Sequence, residues 1–146
     1  MDVTANLEAP CSPEALFQLV SDLGTYPKWL DIVPRAVADG DVEPAWIVDL
    51  RGKLGPFARS KRLRMVRTTN DAPTAVVFER KERDGRSHSD WRLSADVSGT
   101  ADGSRLTMRL HYGGGLWGPI LERLLTDEIE RSKPRLLELV SGASEG

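Results

Sequence analysis

Few side chains in this sequence carry chemistry by type and spacing. Glu128 and Tyr112 are the two candidates for acid–base work. On a helical wheel of about 100° per residue, Glu128 falls between Trp117, Leu121 and Leu124, inside an apolar stripe. A carboxylate aimed at an apolar interior needs a partner or has its pKa raised, and a raised carboxyl can serve as a general acid or base. Two readings stand. Glu128 is a polar anchor inside a cavity, with a strand arginine such as Arg80 as partner, or it turns to the rim or pairs with Arg131. Tyr112 closes the most regular apolar alternation in the chain.

Other chemistries find no support in the spacing. His88 and His111 are the only histidines, and both are expected on outward-facing strand positions. With Cys11 alone and no HxH or HExxH pattern, no metal site and no cysteine cluster are expected. Neither histidine is placed to complete a Ser-His-Asp set. Gly113 to Gly115 lack the Lys-Ser/Thr of a phosphate loop and read as a turn. No cofactor is implied.

Charge narrows the partners. Twenty Lys and Arg face 22 Asp and Glu, a net charge of -2, which argues against broad nucleic-acid binding. The basic stretch from Arg59 to Arg67 reads as the solvated face of one strand, Arg62 and Arg64 pointing away from Leu63 and Met65. Contact with a membrane surface or an acidic protein is the alternative use of it. No run approaches the ~18 apolar residues of a membrane helix, and Met1 to Asn6 have no signal-peptide pattern. The expectation is a soluble cytoplasmic protein without integral membrane association.

The elements that must position these residues follow from period and punctuation. Val3, Ala5 and Leu7 alternate as a first strand. Ser12-Pro13-Glu14 opens a helix carrying Leu16, Leu19, Val20 and Leu23, with Gly24 as its stop. Thr25 to Leu30 predict a second, one-turn helix opened by Pro27, with Tyr26 and Trp29 inward. From Ile32 to Tyr112 the pattern is strand-like: Trp46, Val48 and Leu50; Val76 and Phe78; Trp91, Leu93, Ala95 and Val97; Leu106, Met108, Leu110 and Tyr112. Strand plus turn together take about a dozen residues, too few for a helix in each crossover, so the sheet is antiparallel. A helical period then runs over 116–141, disturbed at Pro134. The fold class is α+β: a curved antiparallel sheet of about seven strands around a long C-terminal helix, with two short helices between the first two strands. One domain spans 1–142, and 143–146 form a frayed tail.

That order, with Leu19-Val20-Ser21-Asp22-Leu23-Gly24-Thr25-Tyr26-Pro27-Lys28-Trp29-Leu30-Asp31-Ile32-Val33-Pro34 and the glycine-rich entry to the last helix, resembles the START-type superfamily. This group includes the birch-pollen allergens and the polyketide cyclase/dehydrase and lipid-transport branch. The resemblance covers nearly the whole chain and implies a helix-grip fold with a cavity for an apolar or amphipathic molecule. Trp46, Val48, Leu50, Phe78, Trp91, Leu93, Met108, Leu110, Tyr112, Leu121, Leu124 and Glu128 are then the candidate ligand-binding residues. Each of the apolar and aromatic ones alone is at least as readily a core residue. Three functions fit: a non-catalytic carrier of a small hydrophobic ligand, favoured because no catalytic constellation is visible; a cyclase or aromatase; or a module for protein or membrane contact.

Overall fold

The computed structural model describes residues 2–40, 43–54, 57–113 and 118–145, without the side chains of 53–54, 57–59, 118–122, 124–125 and 142–145. Seven strands make one sheet: β1 (Asp2–Ala9), β2 (Arg35–Ala38), β3 (Ala45–Leu54), β4 (Phe57–Asp71), β5 (Ala75–Arg80), β6 (Trp91–Thr100) and β7 (Gly103–Tyr112). Their order is β1-β7-β6-β5-β4-β3-β2, and every pair is antiparallel. Strands β2 to β7 follow one another as a meander. The first strand instead pairs with the last, so β1 and β2 form opposite edges. The chain between them must cross the whole sheet, and it does so as α1 (Pro13–Val20) and a 3-10 helix (Leu23–Lys28).

Local caps explain that crossing. The Ser12 hydroxyl accepts from the Ala15 N–H at 3.2 Å, and Pro13 and Glu14 occupy the first turn. The helix ends at Val20 rather than at Gly24, because Asp22 opens the 3-10 helix by accepting from the Gly24 N–H at 2.8 Å. The carbonyls left free at the end of α1 are used at once. Thr25 Oγ1 donates to the Leu19 oxygen at 2.6 Å, and the Tyr26 hydroxyl donates to the Val20 oxygen at 2.8 Å. Gly103 begins β7 with its Cα against the Ala9 carbonyl, where a Cβ would overlap that oxygen.

The long helix α2 (Gly118–Glu145) lies against β1, β3 and α1. It runs past the expected end at Ser141. Pro134 sits inside it without ending it, since Pro134 and the Glu130 whose carbonyl loses its donor are both on the exposed face. Leu136 and Val140 are buried, and Ser132 returns its hydroxyl to the Ile129 oxygen at 2.7 Å. No helix among the described residues is long and apolar enough to cross a membrane.

The two sheet faces separate by alternation. On the outer face, residues in register form polar pairs: Asp2 with His111, Asn6 with Thr107, Glu8 with Arg105 and Asp49 with Arg62. On the inner face Val76, Phe78 and Ala95 are fully buried. Phe78 meets Trp46 edge-on at 5.6 Å and Tyr26 at 6.4 Å, while Tyr26 lies against Trp29 at 4.8 Å.

Two expectations about charged residues need correction. Arg62 is exposed, as its outward parity requires, but Arg64 on the same face is buried. Its guanidinium donates to Asp39 at 2.9 Å, Glu43 at 2.9 Å and the Lys81 oxygen at 3.0 Å, groups brought over it by neighbouring loops. His88 is not on a strand at all. It lies between β5 and β6, with Nε2 at 2.8 Å from Asp84.

Candidate functional site: an apolar chamber between the sheet and the last helix

The sheet curls over α2 and leaves a chamber of about 120 Å³. Its walls come from five strands, the 3-10 turn and one residue of α2. Val3 and Ala5 on β1 face Leu110 and Met108 on β7, their register partners. Val48 and Leu50 on β3 stand beside Leu63 and Met65 on β4. Trp91 and Leu93 on β6 complete the sheet side. The turn contributes Leu23, Tyr26 and Trp29, then Leu30, Ile32 and Val33, and Ile129 closes the chamber from α2.

No charged side chain is among these wall residues. The only hydroxyl belongs to Tyr26, which is spent on the Val20 carbonyl. Burial, with the nearby Asp22 carboxylate adding to it, raises the Tyr26 pKa far above its ordinary value, so this phenol stays protonated. The indole N–H groups of Trp29 and Trp91 are buried without a hydrogen-bond partner, shielded from the chamber itself. What the chamber presents is hydrocarbon and aromatic surface. An apolar void of this kind stays dry, and one of roughly 150 Å³ accepts benzene.

Of the candidate binding residues, Val48, Leu50, Trp91, Leu93, Met108 and Leu110 meet at this wall. Trp46 and Phe78 lie deeper, packed on each other, with the Arg67 guanidinium 5.7 Å from the Trp46 ring and bonded to the Ser21 oxygen. Tyr112 is buried behind the wall, its ring stacked on Trp91 at 5.4 Å. Leu121 and Leu124 fall on α2, with side chains outside the described residues.

Glu128 is not at the wall. It pairs with Arg131 one turn along the helix and keeps only 15% of its side chain exposed. The buried residues of α2 are Ser132, Leu136 and Val140, with Ile129 at the chamber; Glu128 lies about a quarter-turn from the centre of that stripe. The carboxylate is thus held by Arg131 and is not among the wall residues.

Val3, Ala5, Leu63, Met65, Ile129 and the turn residues are wall residues outside the candidate binding set read from the sequence; the turn is the largest of these groups. Its signal was the aromatic density of Tyr26-Pro27-Lys28-Trp29, which marks inward packing but not what it packs against. One ion pair fastens this turn to α2. Arg135 donates to Asp31 through Nη1 and Nη2, and that hydrogen bonding holds the Asp31 carboxyl below the usual carboxylate range.

Comparison with known proteins agrees with this architecture. The family model described as polyketide cyclase / dehydrase and lipid transport matches residues 1–139. No curated protein matches the sequence. Among solved structures, a protein from Thermus thermophilus superposes with a TM-score of 0.75 at 18% identity, covering 99% of both chains. A START superfamily protein from Mycobacterium smegmatis gives 0.67 at 16% identity, covering 99% of this chain and 97% of that one. An AHSA1 protein from Silicibacter pomeroyi gives 0.66 at 17% identity, with 97% and 98% covered. At such identities the likeness is one of fold.

Proposed function

Because the chain belongs to the polyketide cyclase / dehydrase and lipid transport family, we propose that it binds a small apolar molecule, or the apolar part of an amphipathic one, in the chamber between sheet and helix. The chamber wall carries this reading. A core under selection for stability alone fills its voids, since each missing methylene costs about 1 kcal/mol. Here Ala5, a small residue, stands between the larger side chains of Val3 and Met108 where the void lies.

Carriage fits the wall better than catalysis. Cyclisation or aromatisation of a polyketide requires a general acid or base within about 3 Å of the reacting atoms. Among the described residues the chamber wall offers only the occupied Tyr26 hydroxyl. Glu128 is paired with Arg131, and Tyr112 lies behind Trp91.

Titration with a neutral ring-sized probe such as 4-phenylbutan-1-ol tests the proposal, read by the fluorescence of Trp29 and Trp91. Saturable quenching or a spectral shift is the expected result, with native mass spectrometry showing one probe per chain. A protein that binds no apolar probe and melts at the same temperature with and without it would sink the idea.

A further inference from the structure

At the rim of the chamber a cation stands over the apolar wall. Lys61 lies on β4, whose inner face also carries Leu63 and Met65, and it is in register with Leu50; all three of these neighbours line the chamber. The β3–β4 pairing runs without a break through this stretch, so Lys61 projects from the same face as they do. The side chain is half-buried, and among the described residues no carboxylate is within ion-pair distance of its ammonium.

Its described neighbours engage one another instead. Arg80 on β5 is in register with Met65 and only 8% exposed. It donates to Glu82 at 3.1 Å and to the Ser89 carbonyl and hydroxyl at 3.3 and 3.2 Å, with His88 Nδ1 at 3.4 Å. The Glu82 carboxylate also accepts from the Arg64 backbone N–H at 3.1 Å, next to the bond from the Lys81 N–H to the Arg64 oxygen. It thereby extends the β4 ladder past the end of β5. One carboxylate thus serves an arginine and the backbone. Burial, and after it the Arg80 charge, push the Lys61 ammonium below its ordinary range, with Glu82 pulling the other way. An anion at this spot would relieve both effects.

We propose that this rim binds the carboxylate of a small amphipathic acid whose apolar end, about the size of one ring, occupies the chamber. The inference rests on the ligand-binding reading above and adds the head group to it. Lys61, Arg80 and Glu82 together carry one net positive charge, which a carboxylate monoanion neutralises and a phosphate dianion overshoots. His88 is engaged separately by Asp84. The chamber size sets the apolar end, being close to that of voids that accept a single aromatic ring.

Calorimetric titration of 4-phenylbutyrate and its neutral counterpart 4-phenylbutan-1-ol, on the full chain and on its Lys61→Met and Lys61→Arg variants, decides the matter. The acid is expected to bind the unaltered protein about tenfold more tightly than the alcohol, as a charge-assisted hydrogen bond allows. Lys61→Met should reduce the acid to the level of the alcohol and leave the alcohol unchanged, which also shows that the variant is folded. Lys61→Arg should keep the preference. Equal binding of acid and alcohol, or an acid indifferent to Lys61→Met, overturns the rim assignment and leaves the apolar chamber standing. If neither compound binds the unaltered protein, both readings fall together.

Discussion

Ala5→Leu distinguishes an empty chamber from a filled core by the sign of its effect on stability. Ala5 lies opposite Met108 at the chamber wall. Leucine adds three carbons, and at about the volume of one water molecule each they occupy ~90 Å³. They fit within the chamber of about 120 Å³ and block part of it. Removing three carbons from water stabilises by about 0.8 kcal/mol each, and ordering the longer side chain takes back ~0.5–1 kcal/mol. The net is a gain of ~1.5 kcal/mol, or a rise in Tm of ~4 °C for a chain of this size. In a packed core the same insertion costs ~1–3 kcal/mol through strain. Thermal unfolding followed by circular dichroism reads the sign, and a titration with 4-phenylbutan-1-ol reads the occupancy. The expected result is a higher Tm with at least tenfold weaker probe binding. A lower Tm with probe affinity unchanged would refute both the void and its assignment as the binding site.

Three further outcomes are expected. Arg64→Met should destabilise by ~1–2 kcal/mol in urea unfolding, because it strips a buried cation from Asp39 and Glu43, whose own half-exposure keeps the loss below that of a fully buried pair. Pro134→Ala should raise stability by ~1–2 kcal/mol, restoring a helix N–H for the Glu130 carbonyl at the cost of a freer unfolded chain; an unchanged or lower Tm contradicts a net cost of Pro134 to the helix. The Asp31 carboxyl is lowered by Arg135 in the folded state, so its contribution is present above the unfolded carboxylate range near pH 4 and is lost as pH falls through the lower folded value. Asp31→Asn should therefore flatten the acid limb of the stability curve, and two superimposable pH profiles would show that the pair does not form in solution.

How much of this was legible beforehand depends on the range of the interaction. Val48, Leu50, Leu93, Met108 and Leu110 were placed on the inner face by alternation, and they meet at the chamber. Period two is a property of the strand itself, so it survives any tertiary context. The same rule placed Arg64 in water beside Arg62. It failed there because Asp39 and Glu43, far away in the chain, fold over that one position. The end of α1 was misplaced for a related reason. Gly24 is a plausible stop, but Asp22, Thr25 and Tyr26 capture the helix end earlier with side-chain hydrogen bonds. For Glu128 the sequence leaves a cavity anchor and a pair with Arg131 both open, and the structure shows the pair. The stripe around Trp117, Leu121 and Leu124 pointed at Glu128, whereas the described buried face runs through Ser132, Leu136 and Val140.

Element order, the antiparallel sheet, the long last helix and the inward face of most strands follow from the sequence alone, because each rests on local period, caps and turn residues. The pairing of β1 with β7, which stand 101 residues apart at Asn6 and Thr107, was decided only by the tertiary structure. So were the use of Tyr26 and Trp29 as chamber wall, the spending of Glu128 on Arg131 and the isolation of Lys61 beside Arg80. A void and an unpaired charge are defined by what fails to arrive from elsewhere in the chain, and no local pattern of residues encodes that.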